Sequence, residues 1–389
     1  MNKKQIVSLI VALSMMTMLT ACGGDVNGSQ EAVDIPAVSK SAASEETPKT
    51  YKLKIQDNLN IDAKVIAPDV LPASAAEYNA RVKEMDNTQY ALQTIFQKSS
   101  YKKDNRTLTS QKDREGNFVS RFSYIYNTDD DSNSVMVQQK SEGQNLSISG
   151  LTPLWDKIYG SYTVDNYTAF PNKDLPFMSR KLAEEQARKF FKNMGVETGN
   201  TVISGAISHQ DMQNRLDKLK NDSSEYNQLP DTKKKRIEKL GKYNDSDDCY
   251  QFRFFMEING TPVTDFDQIG QSSAANTVTF GTKIECLYSK QGIAQFEISS
   301  VYAPIGNPLA SGKPINFTQA MKLLTDKLNS VVQQVPTTVT NIAYAYAPML
   351  TNANREDYIL IPAWIFQVQP KDNNSYQLVF NALTGKELI

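Results

Sequence analysis

Two helical stretches at an offset of 137 residues constrain this chain most, because they read as one design used twice. Ser179 to Gly195 carries Leu182, Ala183, Ala187, Phe190, Phe191 and Met194 at helical spacing, with Ser179 placed to cap the start and Gly195 to stop the end. Asn316 to Val332 repeats the pattern, with Asn316 as the cap and Ala320, Met321, Leu324, Leu328 and Val331 inward. The offset aligns Ser179 with Asn316, Ala183 with Ala320, Ala187 with Leu324 and Phe191 with Leu328. Strand-like segments follow each predicted helix. Tyr250 to Ile258 and Thr261 to Val263 flank an Asn259-Gly260 turn after the first; Ile342 to Tyr346, Tyr358 to Gln369 and Tyr376 to Ala382 follow the second. Between the copies, Thr277 to Tyr288 and Ile293 to Tyr302 predict a hairpin around Lys290-Gln291-Gly292. Strands that arrive in hairpins, with few helices, predict an α+β chain of antiparallel sheets.

The preceding region is expected to be β-rich. The chain holds 18 Tyr and 16 Phe against 2 Trp, a bias toward strand formers. Tyr51 to Ile55, Leu59 to Ile66, Phe118 to Tyr126, Ser134 to Gln139 and Asn145 to Ile148 read as strands, Ala75 to Gln97 as a helix, and Tyr159 to Phe170 as an extended stretch. The expected division is a leader over 1–21, a tether over 22–50, an N-terminal α+β region over 51–172, and two helix-plus-antiparallel-sheet modules over 173–313 and 314–389. The first module carries a helical insertion over 204–248, where Met212, Leu216, Leu219, Ile237 and Leu240 supply apolar positions around Pro230. Within it, Lys233-Lys234-Lys235-Arg236 reads as a solvated helical arm flanked by Asp231 and Glu238, rather than as a contact for an anionic lipid or polymer.

Chemistry-bearing residues are sparse. His209 is the single histidine, which excludes a multi-histidine zinc site and leaves one candidate base for a hydrolase triad. It lies in Ser208-His209-Gln210-Asp211, and no Gly-x-Ser-x-Gly elbow occurs, so a surface role is expected. Asp129 to Asn133 and Asp245 to Asp248 resemble calcium loops only superficially. Ser134 stands at the turn-glycine position and Lys140 at that of the bidentate Glu, so both read as acidic turns. No phosphate-cradling glycine loop is present, and no cofactor is expected. Cys249 and Cys286 can form one disulfide or remain two buried thiols; both readings stay open. Trp364, in the densest apolar segment, is expected in the core rather than as a ligand platform.

The N-terminus carries an address. Asn2-Lys3-Lys4-Gln5 is followed by an apolar run, Ile6 to Met18, too short to span a bilayer, which predicts a cleaved leader. Leu19-Thr20-Ala21-Cys22 resembles the lipobox of bacterial lipoproteins. That resemblance implies a diacylglycerol thioether on Cys22, which becomes the mature N-terminus on the extracytoplasmic face of the cell membrane. Gly23 to Thr50 has no aromatic residue and reads as a flexible tether, about 30 Å end to end. Net charge is −1, and −3 once Lys3 and Lys4 leave with the leader, which gives no reason to expect a nucleic-acid partner.

A family likeness comes from the C-terminal residues. Phe317-Thr318-Gln319-Ala320-Met321, then Leu360 to Phe366 with its Pro362-Ala363-Trp364, then Tyr376 to Phe380 and Thr384-Gly385-Lys386-Glu387, resemble PepSY-type α+β modules. They are also similar to the extracytoplasmic modules of the YycH and YycI type, regulators of a cell-wall sensor kinase. The whole layout is similar to lipoproteins of clostridial type. The resemblance implies a non-enzymatic binding or regulatory module in the envelope, with the membrane and an envelope protein or cell-wall component as partners. A solute-binding lipoprotein of a transporter is the alternative, and a cell-wall hydrolase the next.

Overall fold

The computed structural model describes residues 46–388 apart from 84, 86, 98, 113–117, 131, 140–144, 162–169, 266–276, 280, 331–334, 352–356 and 372–374. The leader, Cys22 and most of the tether therefore lie outside the described residues. Thr47 is already buried and donates its N–H to the Asp69 carbonyl at 2.8 Å, so packing begins ahead of Tyr51.

One eight-stranded sheet draws on both ends of the chain. Its strands are β1 (Thr50–Gln56), β2 (Leu59–Ile66), β3 (Ala75–Val82), β12 (Thr277–Val278), β15 (Tyr302–Gly312), β16 (Thr337–Leu350), β17 (Tyr358–Pro370) and β18 (Tyr376–Asn381). The order is β1-β2-β16-β17-β3-β15, with β12 also beside β16 and β18 beside β17. All pairs are antiparallel except β2 with β16, where Leu59 to Ile66 runs parallel to Thr337 to Ala343. The second eight-stranded sheet is wholly antiparallel: β4 (Lys102–Lys112), β5 (Phe118–Asn127), β6 (Ser134–Gln139), β7 (Asn145–Leu151), β14 (Gly292–Ser299), β13 (Lys283–Ser289), β9 (Cys249–Phe254) and β8 (Val202–Ile207), in that order. A small ladder, β10 (Glu257–Ile258) and β11 (Thr261–Pro262), turns at Asn259 and Gly260, both at positive φ. The fold is α+β as expected. Its sheets cut across the segments read from the sequence, since 50–82 pairs with the C-terminal strands and 102–151 with the middle ones.

The two repeated helices occupy equivalent places. Helix α3 (Arg180–Asn193) precedes the meander β8-β9-β13, and α7 (Phe317–Asn329) precedes β16-β17-β18. Ser179 caps α3 by accepting the Leu182 N–H, and Asn316 caps α7 in a reciprocal box with Gln319, at 2.8 and 2.9 Å. Such caps contribute about 1 kcal/mol each. Gly195, at φ +76°, ends α3 as a left-handed stop. Beneath α3, Ala183, Ala187 and Phe191 meet Phe252, Phe254, Cys286 and Phe296. Beneath α7, Ala320, Leu324 and Leu328 meet Tyr344, Trp364, Phe366 and Leu378. Trp364 is fully buried, and its Nε1–H donates to the Ile315 carbonyl at 3.0 Å, which satisfies the one polar group of the ring.

Three local expectations are corrected. Residues 75–97 are not one helix but strand β3 followed by helix α1 (Thr88–Phe96). β3 is held between β15 and β17, and its small Ala80 makes room for Tyr302, Tyr346 and Tyr358, a non-local pairing that overrides the helical propensity of alanine. Tyr159 to Ser161 belongs to helix α2 (Pro153–Ser161), started by a proline at its first position; 162–169 lies outside the described residues. The insertion begins after Ile207, because Val202 to Ile207 pairs with β9 along its whole length. It then forms α4 (His209–Asn221), α5 (Ser223–Gln228) and α6 (Asp231–Lys239).

Candidate functional site

Two places deserve a chemical reading: the base of the helical insertion, where the ionisable residues gather, and the free edge of the first sheet.

At the insertion base, Ser208 follows β8 directly and caps α4. Its Oγ accepts the Asp211 N–H at 3.2 Å and donates to Asp211 Oδ2 at 2.6 Å. His209 Nδ1 lies 2.8 Å from Asp248 Oδ1, and the same oxygen accepts the His209 backbone N–H at 2.6 Å. Asp248 is buried, so both bonds form away from bulk water. Asp247 beside it is paired with Lys157 of α2 at 2.5 Å, and Tyr243 Oη donates to the Lys157 carbonyl at 2.8 Å. Burial alone would raise the Asp211 carboxyl, but the Ser208 and Lys173 hydrogen bonds, with the Lys173 charge, outweigh it and hold it below its ordinary value. Serine, histidine and aspartate thus meet within one turn, wired as a cap: the serine hydroxyl donates to Asp211 and the histidine answers Asp248. The arrangement fastens the helical insertion to the sheet.

The acidic turns are likewise spent on local bonds. Asp130 Oδ1 accepts from Thr128 Oγ1 at 2.6 Å and from the Ser132 N–H at 3.1 Å; these bonds lower its carboxyl to about 2. Asn244 and Asp247 close a capping box over a short 3-10 turn. Cys249 and Cys286 are free thiols, both buried. The ladder puts Cys249 opposite Ser289 and Cys286 opposite Phe252, an odd offset, so the two sulfurs point to opposite faces of the sheet. Cys249 packs with Met212 and Leu216 of the insertion, Cys286 with the core beneath α3. The disulfide left open by the sequence is therefore not formed.

The free edge is β15. Among the described residues it ends its sheet and pairs with β3 alone, and it is exposed from Pro304 to Ser311. Ile305 stands opposite Asn79 and Ala310 opposite Glu77, so Gly306-Asn307-Pro308-Leu309 bulges out of the ladder. Ile305 is 41% and Leu309 49% exposed. No charged residue occurs between Tyr302 and Gly312. The opposite edge differs. Leu53 on β1 is exposed, yet Lys52 pairs with Asp62 and Lys54 with Asp57 around it, the charged guarding expected of an edge that must not pair. On β15 only Pro304, Pro308 and the bulge interrupt backbone pairing, which leaves apolar side chains as the available contact. Nothing in the sequence marks this stretch as a strand, because its Pro-Ile-Gly-Asn-Pro-Leu run is rich in turn formers.

No family model matches the chain, and no curated protein does. Among solved structures, an uncharacterized protein from Eubacterium rectale ATCC 33656 is similar over 87% of this chain and 93% of its own, at 17% identity and a TM-score of 0.59. That likeness is one of fold. The C-terminal domain of YpeB from Bacillus megaterium aligns over 79% of this chain and 97% of its own, at 14% identity and a TM-score of 0.27.

Proposed function

We propose that this chain is a lipid-anchored, extracytoplasmic binding or regulatory module, non-enzymatic, that holds an envelope protein or cell-wall component through the β15 edge. The observation that carries the reading is an exposed, uncharged sheet edge that presents Ile305 and Leu309. Paired apolar residues on an edge of this kind are what a protein partner buries, at about 25 cal/mol per Å² of apolar surface removed from water. The PepSY-type likeness of residues 317–387 supports a binding role. So does the use of Ser208, His209 and Asp248 as a helix cap. Strands in hairpins rather than parallel βαβ units weigh against a hinged solute-binding protein.

The anchor is Cys22, acylated by two chains, since one acyl chain gives only marginal binding and two hold stably. Among the described residues no helix is long and apolar enough to cross a membrane. Mass spectrometry of the mature N-terminal peptide tests the anchor: a diacylglyceryl cysteine is expected, and a free thiol at Cys22 would sink it. Affinity capture from native membranes tests the edge. Ile305→Asp with Leu309→Asp is expected to lose a discrete partner that wild type retains, with the thermal midpoint unchanged. Equal recovery by both would overturn the β15 reading. Deleting 314–389 would not be informative, because it removes β16 to β18 from the shared sheet.

A further inference from the structure

The helical insertion is neutral as a whole, with nine Lys and Arg against nine Asp and Glu over 204–248, but its last helix carries a basic run on a fixed mount. Its base is fixed by the Lys157–Asp247 and His209–Asp248 pairs, and α4 seats Met212, Leu216 and Leu219 in one core. Helix α6 is pinned to that core by Ile237, which is fully buried, with Leu240 partly so. Residues 231–242 hold six Lys and Arg against two acidic residues. Asp231 sits in the first turn of α6, where the helix dipole favours it, and Glu238 accepts from Tyr226 Oη at 3.4 Å. At about 100° per residue, Lys235 and Lys239 fall on the side of α6 away from Ile237, and Lys242 follows just beyond the helix. All three are exposed, and among the described residues none of them has an ion-pair or hydrogen-bond partner.

We infer that this face, which the flanking acidic residues make read as a solvated arm from sequence, docks on the anionic headgroups of the membrane, laying the body against the surface that anchors it. The inference rests on the proposed anchoring at Cys22. Charge complementarity selects the occupant: ammonium groups act as point charges that need no shaped pocket, which suits a flat layer of phosphates. Each lysine near such a surface strengthens association about fivefold, and anchoring supplies the effective concentration that makes so weak a contact matter.

The test uses the full chain with vesicles of phosphatidylcholine alone, or of phosphatidylcholine with phosphatidylglycerol, and a water-soluble amine reagent read by mass spectrometry. Lys235, Lys239 and Lys242 are expected to label at least about fivefold more slowly on the anionic vesicles only. Raising salt toward about 1 M, where the screening length falls to about 3 Å, should restore labelling. Lys371 and Lys386, exposed on the C-terminal module, and the exposed Lys313 just before it serve as references and should not change. Equal labelling on both vesicles, or protection that the references share, would overturn the inference. Protection by soluble polyphosphate with none by vesicles would overturn it in favour of a soluble polyanion. The N-terminal peptide in the same digest reports the state of Cys22. Unprotected lysines on a lipidated chain sink the surface alone, whereas protected lysines on an unlipidated chain sink the anchor alone.

Discussion

Arg253 grips Asp265 at two points: Nε lies 2.5 Å from Oδ2, and Nη2 donates to the Asp265 backbone carbonyl at 3.0 Å. The grip fixes the segment that ties the two sheets together. Val263 bridges to Tyr346 of β16, the Thr264 N–H donates to the Tyr346 carbonyl at 2.9 Å, and the Thr264 carbonyl accepts from Thr282 at 2.8 Å. Behind this crossing, Ile258 and Val263 pack with Ala80, Tyr302, Tyr346 and Leu360. The side chains are 15% and 5% exposed, so the pair interacts largely away from water and its loss is costly. Asp265→Ala is expected to cost about 3–5 kcal/mol in denaturant unfolding, while Arg253→Met with Asp265→Leu recovers most of it.

Gly281 faces the same crossing. A Cβ there would overlap the Thr264 carbonyl, a backbone group that cannot swing aside. Gly281→Ala is expected to destabilise by about 3 kcal/mol or more, seen as a lower midpoint in thermal unfolding. Gly241, whose Cβ would meet nothing, should accept alanine with little change.

The two body cysteines provide a redox test. Burial pushes both thiols well above the ordinary range, with nearby carboxylates adding to it. Cys249 and Cys286 should be silent to a thiol reagent at neutral pH in the folded chain and both react in denaturant. Reductant should leave the unfolding midpoint unmoved.

Asp211 gives the insertion a pH dependence of known sign. Its folded carboxyl is held below its unfolded value, so its contribution is complete above about pH 4 and fades as pH falls through the depressed folded value. The side chain is 41% exposed, so water screens the effect to under about 1 kcal/mol. The protection factors of the α4 amides, taken against intrinsic exchange at each pH, should fall over that acid range in wild type, and Asp211→Asn should flatten the dependence.

What could be read from the sequence was what local spacing encodes. The caps Ser179 and Asn316, the stop at Gly195 and the Lys290-Gln291-Gly292 turn rest on neighbours within a few residues, and all appear where expected. Strand β3 reads as helix from the sequence because its partners, β15 and β17, lie more than 200 residues away and leave no local trace. The parallel seating of β2 on β16 was hidden for the same reason. Strand β8 disappeared into the helical insertion because it is short and stands beside one partner only. Of the β15 edge, the residues are visible in the sequence but not their exposure: Pro304 and Pro308 suggest a loop until the ladder with β3 places them on a strand.

The most direct test of the binding reading is photo-crosslinking from single positions in the intact chain in native membranes. A crosslinker at position 305, on the uncharged edge, is predicted to trap a discrete adduct of one mass, and one at position 53, on the charge-guarded edge β1, to trap none. No adduct from 305, or the same adducts from both positions, would contradict it.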